Sequence, residues 1–333
     1  RAQPCSAFWQ SGYDARMNDS ADQNTPNYRL DPDTVLQSVE STGLLTDGRL
    51  LALNSYENRE YQVGIEEEQP VVVKFYRPGR WSDEQIRVEH SFSLELEQAE
   101  IPLIAPTVIE GETLFHHDGF RFTVFRRQGG HAPELEDQET RLWLGRFIGR
   151  IHAVGRSRAF DSRPAVTPEA YGDESIRTLI EDRWIPPHLE NAFESLAGDL
   201  MVQVRGAWDR AGPFDRIRLH GDLHLGNLLW RDGPFFVDLD DCRSGPAMQD
   251  LWMLLSGDRH EMERQLADVL EGYTQFCDFD RRELNLTEAL RTLRMLHHAA
   301  WLARRWQDPA FPAAFPWFDS ARYWEDLVLS LRE

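Results

Sequence analysis

The stretch HGDLHLGN, residues 220–227, places two His, one Asp and one Asn in one short loop, directly ahead of an apolar run. Such residues can bind a metal, move a proton, or merely satisfy backbone groups in a turn. His220 and His224 stand four apart, the spacing that pairs two zinc ligands on one helix face. Gly221 and Gly226 work against a continuous helix there, and no third ligand stands at zincin spacing, so zinc is set aside. The turn reading weakens at the next strand. FVDLDD puts Asp238, Asp240 and Asp241 just beyond an apolar run, one hairpin after the loop, and clustered carboxylates suit hard, oxygen-seeking cations.

Phosphoryl transfer accounts for the whole set. It needs a carboxylate near the attacking hydroxyl, oxygen ligands for Mg²⁺ and a cation on the nucleotide phosphates. Asp222 and Asn227 have the D-x-x-x-x-N spacing of kinases, and Asp238 in VDLD stands where kinases place a Mg²⁺-binding Asp after a short hairpin. Lys74 in VVVKFY stands where kinases place their phosphate-binding Lys. The order along the chain also agrees.

These motifs resemble the aminoglycoside phosphotransferase and choline kinase branch of the protein-kinase-like fold. Within it the chain most resembles the bacterial stress response kinase A family of Ser/Thr protein kinases, through LNSYENR, VVVKFYRP, RLHGDLHLGNLLWRDGP, FVDLDD, GPAMQDLWMLL and RRWQDPAFPAAFPW. The resemblance spans residues 30–330 and implies ATP and Mg²⁺ as cofactors. It makes Asp222 the catalytic base, Asn227 and Asp238 the Mg²⁺ ligands, and Lys74 the holder of ATP phosphates, with Glu89 paired to Lys74. Asp250 is implied to hydrogen-bond the catalytic-loop backbone and His220 to orient the loop, with His224 a buried, satisfied side chain and Asp240 a weaker metal candidate. One departure stands out: the chain has no G-x-G-x-x-G loop. Residues 54–59, NSYENR, fill that turn, so backbone N–H groups and small side chains, Ser55 above all, are expected over the phosphates.

The elements that must position these residues are readable from periodicity. Thr34–Ser41 reads as a short helix, and REYQV (59–63), VVVKFY (71–76) and RFTVF (121–125) read as strands. Ser82 with Gln85 three positions later makes a capping box for a helix over 82–99. On that helix Glu89 falls within the apolar face of Ile86, Val88, Phe92 and Leu96, where an acid wants a cation. From about residue 136 the period turns helical, with Leu144, Phe147, Ile148 and Ile151 at i, i+3, i+4 and i+7. Further helices are expected over 192–208, 251–255, around Leu266–Tyr273, and over 287–306, with one strand pair at NLLW and FFVDL. The aromatic tail with Trp306, Phe311, Phe315 and Trp317 is expected in the core, or along the substrate cleft.

The expected fold is α+β and two-lobed: a β-rich ATP-binding lobe over 28–128 and a mainly helical catalytic lobe over 129–333, with Gly129 and Gly130 in the linker. Residues 1–27 read as a disordered extension, with Met17 as the native start. Hydrophobic residues at 41% and 11 Trp in 333 residues are ample for a packed core. The formal charge of -20, from 56 acidic against 36 basic residues, speaks against a nucleic-acid surface. No apolar run is long enough for a membrane span, and three scattered cysteines fit a reducing compartment. The expectation is a cytoplasmic monomer acting on a Ser/Thr hydroxyl of a protein, itself included. Two alternatives stay open: a small-molecule kinase acting on choline, homoserine or an aminoglycoside, and a nucleotide-binding pseudokinase.

Overall fold

The computed structural model describes residues 30–53 and 55–332. The expected extension over 1–27, its Met17 start and Asn54 lie outside the described residues.

Helix α1 (Pro32–Glu40) begins two residues before its expected start, because Asp31 caps it and Pro32 is preset for the first turn. Strands β1 (Thr46–Ala52), β2 (Arg59–Ile65) and β3 (Val71–Phe75) follow, then α2 (Asp83–Gln98), which carries the Ser82–Gln85 capping box. Strands β4 (Phe115–His117) and β5 (Phe120–Arg126) complete an antiparallel sheet of order β1-β2-β3-β5-β4. Alternation sorts its two faces. Val63, Val73, Phe75, Phe122 and Val124 bury against Val35 and Val39 of α1. On the other face Glu60, Lys74 and Thr123 lie opposite one another across β2, β3 and β5. Lys74 therefore points away from the apolar core, on the central strand, between two neighbours.

The chain leaves β5 and enters α3 (Gln138–Gly155) through a segment in which His131 pairs with Trp230. Helices α4 (Glu174–Glu181) and α5 (Glu190–Ala211) precede a pair of ribbons, built from β6 (Ile217–Leu219), β7 (Leu228–Trp230), β8 (Pro234–Phe236) and β9 (Arg243–Gly245). One ribbon, β7–β8, was expected. The other, β6–β9, was not: both its strands are buried throughout, so they show no alternation to read. Helix α6 (Met248–Trp252) comes three residues earlier than expected, and α7 (Arg259–Tyr273), α8 (Thr287–Arg305), α9 (Ala310–Ala314) and α10 (Ala321–Ser330) follow. Leu144, Ile148, Val269, Leu293 and Leu296 join one large core that also takes Phe92 and Leu96 of α2. Helix α2 thus serves both lobes.

Candidate active site

The loop after β6 is held from beneath. Asp250, on α6 and fully buried, accepts the backbone N–H groups of His220 and Gly221, both at 2.8 Å. His152 of α3 lies 3.0 Å from the same carboxylate, and its other ring nitrogen 3.0 Å from the Tyr273 hydroxyl. His220 donates through Nε2 to the Val237 carbonyl at 2.9 Å, tying the loop to the strand that precedes Asp238. Gly221 takes φ +86°, and a Cβ there would meet the Asp241 carbonyl oxygen at 2.3 Å, so only glycine fits. Loop and acidic strand end are pressed together at this point. Asp250→Asn is expected to cost about 2–3 kcal/mol, since one backbone N–H would face an amide N–H₂ instead of an oxygen. A urea midpoint within error of wild type would contradict this.

The loop next sets its chemical groups. Asn227 donates from Nδ2 to the Asp222 backbone carbonyl at 2.9 Å, which leaves Oδ1 as the amide atom for a hard cation. Its own backbone carbonyl accepts from Val237 N at 3.1 Å. Asp238 follows in the left-handed region at φ 60°, ψ 64°, which Gly adopts routinely and Asn or Asp more readily than most other residues. Its carboxylate meets Lys74 Nζ at 2.6 Å. The oxygen donors Asn227 and Asp238 line one cleft of about 910 Å³ together with Asp222. Mg²⁺ commonly takes one or two protein oxygens and completes its shell with water and phosphate. The donor set fits that ion.

Lys74 pairs with Asp238 and, at 3.5 Å, with Glu60, rather than with Glu89 as expected. The reason is register: Glu60 is its direct cross-strand partner in β2. Burial alone would push the Lys74 ammonium down, but Asp238, Glu60 and Asp240 outweigh it and hold the pKa well above the ordinary value. Glu89 is only 5% exposed and accepts from Ser93 Oγ at 3.1 Å. Burial pushes it up to about 7, with Lys74 opposing. Its pKa is thus raised on folding. The folded state binds the proton more tightly, so stability falls as pH rises from about 4.5 to about 7. Glu89→Gln is expected to stabilise the nucleotide-free protein by on the order of 2 kcal/mol at pH 8 and by little at pH 4.5, read from melting curves. An equal shift at both pH values would remove Glu89 as the titrating group.

Ser55 lines the cleft, while its hydroxyl donates to the Asn58 carbonyl at 3.1 Å, a bond within the turn. That turn is fastened on two sides. Asn58 donates to Asp240 Oδ2 at 3.1 Å, and Trp301 Nε1 donates to Glu57 Oε2 at 2.6 Å. Arg77, just past β3, reaches Asp308 at 2.6 Å, and Arg59 reaches it at 3.4 Å. Tyr56 lies edge-on to Phe315, with ring centroids 5.1 Å apart. The tail therefore divides: Phe311 is core, whereas Phe315 and Trp317 wall the cleft.

Asp240 and Asp241 are taken up by Arg80, with Asp241 also 3.0 Å from Arg243. Asp240 is thereby committed to a structural ion pair. His224, expected to be buried and satisfied, is half-buried at the cleft. It accepts from Gly226 N at 2.9 Å and places Nε2 3.7 Å from Asp222 Oδ2. Asp222 Oδ1 accepts from Arg294 Nη2 of α8 at 2.5 Å. Sequence reading missed Arg294 and Glu60. The first was signalled by a polar stripe on α8 at 294, 297, 298 and 301, the second by counting back through the β2–β3 turn. Converging here are a carboxylate open to a hydroxyl, two oxygen ligands for a hard cation and a buried ammonium, which together are the parts of a phosphoryl-transfer site.

Fold and site define a phosphotransferase of the kinase-like type. The chain belongs to the phosphotransferase enzyme family, whose model matches residues 49–286, and within it to the stress response kinase A family. It is 46% identical over 295 residues to stress response kinase A of Escherichia coli strain K12, covering 89% of each chain. It is 44% identical over 296 residues to the serine/threonine protein kinase RdoA of Salmonella typhimurium strain LT2, covering 89% of this chain and 90% of that one. Among solved structures it is similar to an amicoumacin kinase in complex with AMP-PNP, Ca²⁺ and Ami, with TM-score 0.70, 19% identity, and 91% and 95% coverage. It is also similar to a microcompartment-associated aminopropanol kinase, with TM-score 0.65, 18% identity, and 90% and 100% coverage. These two share its fold.

Proposed function

We propose that the protein transfers the γ-phosphoryl group of ATP, with Mg²⁺, to Ser or Thr hydroxyls of protein substrates in a bacterial stress response. The observation that carries the phosphoryl-transfer chemistry is the meeting of Asp222, Asn227 and Asp238 at one cleft, with Lys74 Nζ 2.6 Å from Asp238. The choice of a protein acceptor is supported by a relative named as a serine/threonine protein kinase, matched over 89% of the chain. A cytoplasmic setting goes with it, supported by the free buried thiols of Cys242 and Cys277, which suit a reducing compartment.

Asp222 would accept the acceptor hydroxyl's proton, the oxygens of Asn227 and Asp238 would hold the cation, and Lys74, at 2.6 Å from Asp238, would serve the nucleotide phosphates. Bound Mg²⁺ supplies neutralisation of phosphate charge. The turn with Ser55 would cover the phosphates through its backbone N–H groups, and buried Glu89 adds a negative charge within reach of the Lys74 ammonium. Catalysis is chiefly positioning and charge stabilisation.

Labelled ATP and Mg²⁺ are offered to a whole-cell protein extract and, separately, to a panel of hydroxyl metabolites. The expected result is acid-stable label on Ser and Thr, including residues of the protein itself, absent with Asp222→Asn. Stoichiometric consumption of one metabolite without protein label would replace this reading with the small-molecule one.

A further inference from the structure

Asp222 has an unexpected neighbour, and it is brought from 72 residues away. Arg294, His297, His298 and Trp301 follow helical spacing along α8 and line the cleft. Arg294 places Nη2 2.5 Å from Asp222 Oδ1, with side chains only 13% and 16% exposed. A guanidinium held this far from water needs a partner, and Asp222 supplies a charge-assisted bond of the strong kind. With Oδ1 engaged, Oδ2 is the carboxylate oxygen left for the acceptor. It faces His224, whose Nε2 stands 3.7 Å away, beyond hydrogen-bond distance. Burial drives His224 toward its neutral form, against the pull of Asp222. Burial, with the charge of Arg294, pushes His298 down to about 3.

We propose that Arg294 is a positioning residue for phosphoryl transfer: by holding Oδ1 of Asp222 it presents Oδ2 to the acceptor hydroxyl. The inference rests on the reading of Asp222 as proton acceptor. In the step, the acceptor O–H bond breaks and its proton passes to Oδ2, while the acceptor oxygen bonds to the γ-phosphorus. The bond from that phosphorus to the bridging oxygen breaks, and its electron pair leaves with ADP. Without Arg294 the carboxylate can rotate about Cβ–Cγ and Oδ2 loses its fixed direction. The charge of Arg294 also lies beside the proton's destination, so the ionised carboxylate is not stranded in a half-buried place.

The test compares wild type with Arg294→Ala, Arg294→Met and Arg294→Lys in the full chain. Each is assayed with the acceptor the wild type uses and also for ATP hydrolysis by water, which needs no assumption about acceptor class. Misdirection of one reacting group costs about a hundredfold. Arg294→Ala and Arg294→Met are expected to lose about that factor in kcat, with KM for ATP and nucleotide affinity changing about twofold or less, because Lys74, Asn227 and Asp238 are untouched. Arg294→Lys is expected to fall between, since ammonium keeps the charge but not the planar fork. Guanidinium at non-denaturing concentration should restore part of the kcat of Arg294→Ala and nothing to Asp222→Asn. Should Ala fail to fold, Met keeps most of the stem's packing and carries the same comparison. Wild-type kcat in both Ala and Met variants, or a loss that appears only in KM for ATP and resists guanidinium, overturns the proposal. Absence of any Ser or Thr label with the wild type would sink the protein-kinase reading alone, because the hydrolysis comparison still reports on Arg294.

Discussion

Replacing Asp222 with Asn is expected to lower phosphoryl transfer by about 10²–10⁴-fold while leaving ATP and metal binding in place. The amide keeps the shape of the side chain, but it cannot take a hydroxyl proton near neutral pH. Its nearest fixed contacts to the nucleotide machinery run through the backbone: Asn227 Nδ2 holds the residue-222 carbonyl, not its side chain. The metal-ligating candidates therefore stay where they are. Transfer of labelled phosphate and a parallel nucleotide titration separate the two effects. Turnover within a few-fold of wild type would remove Asp222 from its role.

Asp238→Ala is expected to act earlier, on the loading of the nucleotide. It removes the charged one of the two candidate oxygen ligands and also the closest partner of Lys74, at 2.6 Å. The metal's share of charge stabilisation is several kcal/mol, so a loss of about a thousandfold in transfer is expected. The distinguishing sign is the metal dependence: nucleotide affinity in the variant should no longer rise with Mg²⁺. Asp240 and Asp241 are poor substitutes, because Arg80 already holds both and Arg243 holds Asp241. An undiminished Mg²⁺ response in Asp238→Ala would show that one of them leaves its arginine to serve as ligand.

The groups that were legible in the sequence are those set by local geometry. Asp222 and Asn227 belong to one loop, and Asp238 follows one hairpin later, so spacing alone placed them together. Lys74 was legible because its strand is an unbroken β-branched run in which the single cation must leave the apolar row. Glu89 was legible as an inward acid, since Ile86, Phe92 and Leu96 define the buried stripe of α2. Its partner was not, because helix periodicity gives a direction and no distance. The nearer acid, Glu60, comes from strand register. Arg294 and Asp308 were missed for another reason: the stripe on α8 marks a face and names no partner, and each of the two meets its partner across more than 70 residues of chain. The ribbon β6–β9 was invisible because three-residue strands buried on both sides carry no alternation.

The fastening of the β1–β2 turn to the tail bears on timing. Asp308 is 4% exposed and has Arg77 at 2.6 Å and Arg59 at 3.4 Å, both from the lobe above. Moving the turn away from the tail would pull Arg59 from the buried Asp308 carboxylate and free Trp301 from Glu57. Breaking a buried charge pair costs about 3–5 kcal/mol, and such a cost adds to the barrier for opening. The more firmly Asp308 holds its arginines, the more slowly the lobe above can part from the tail.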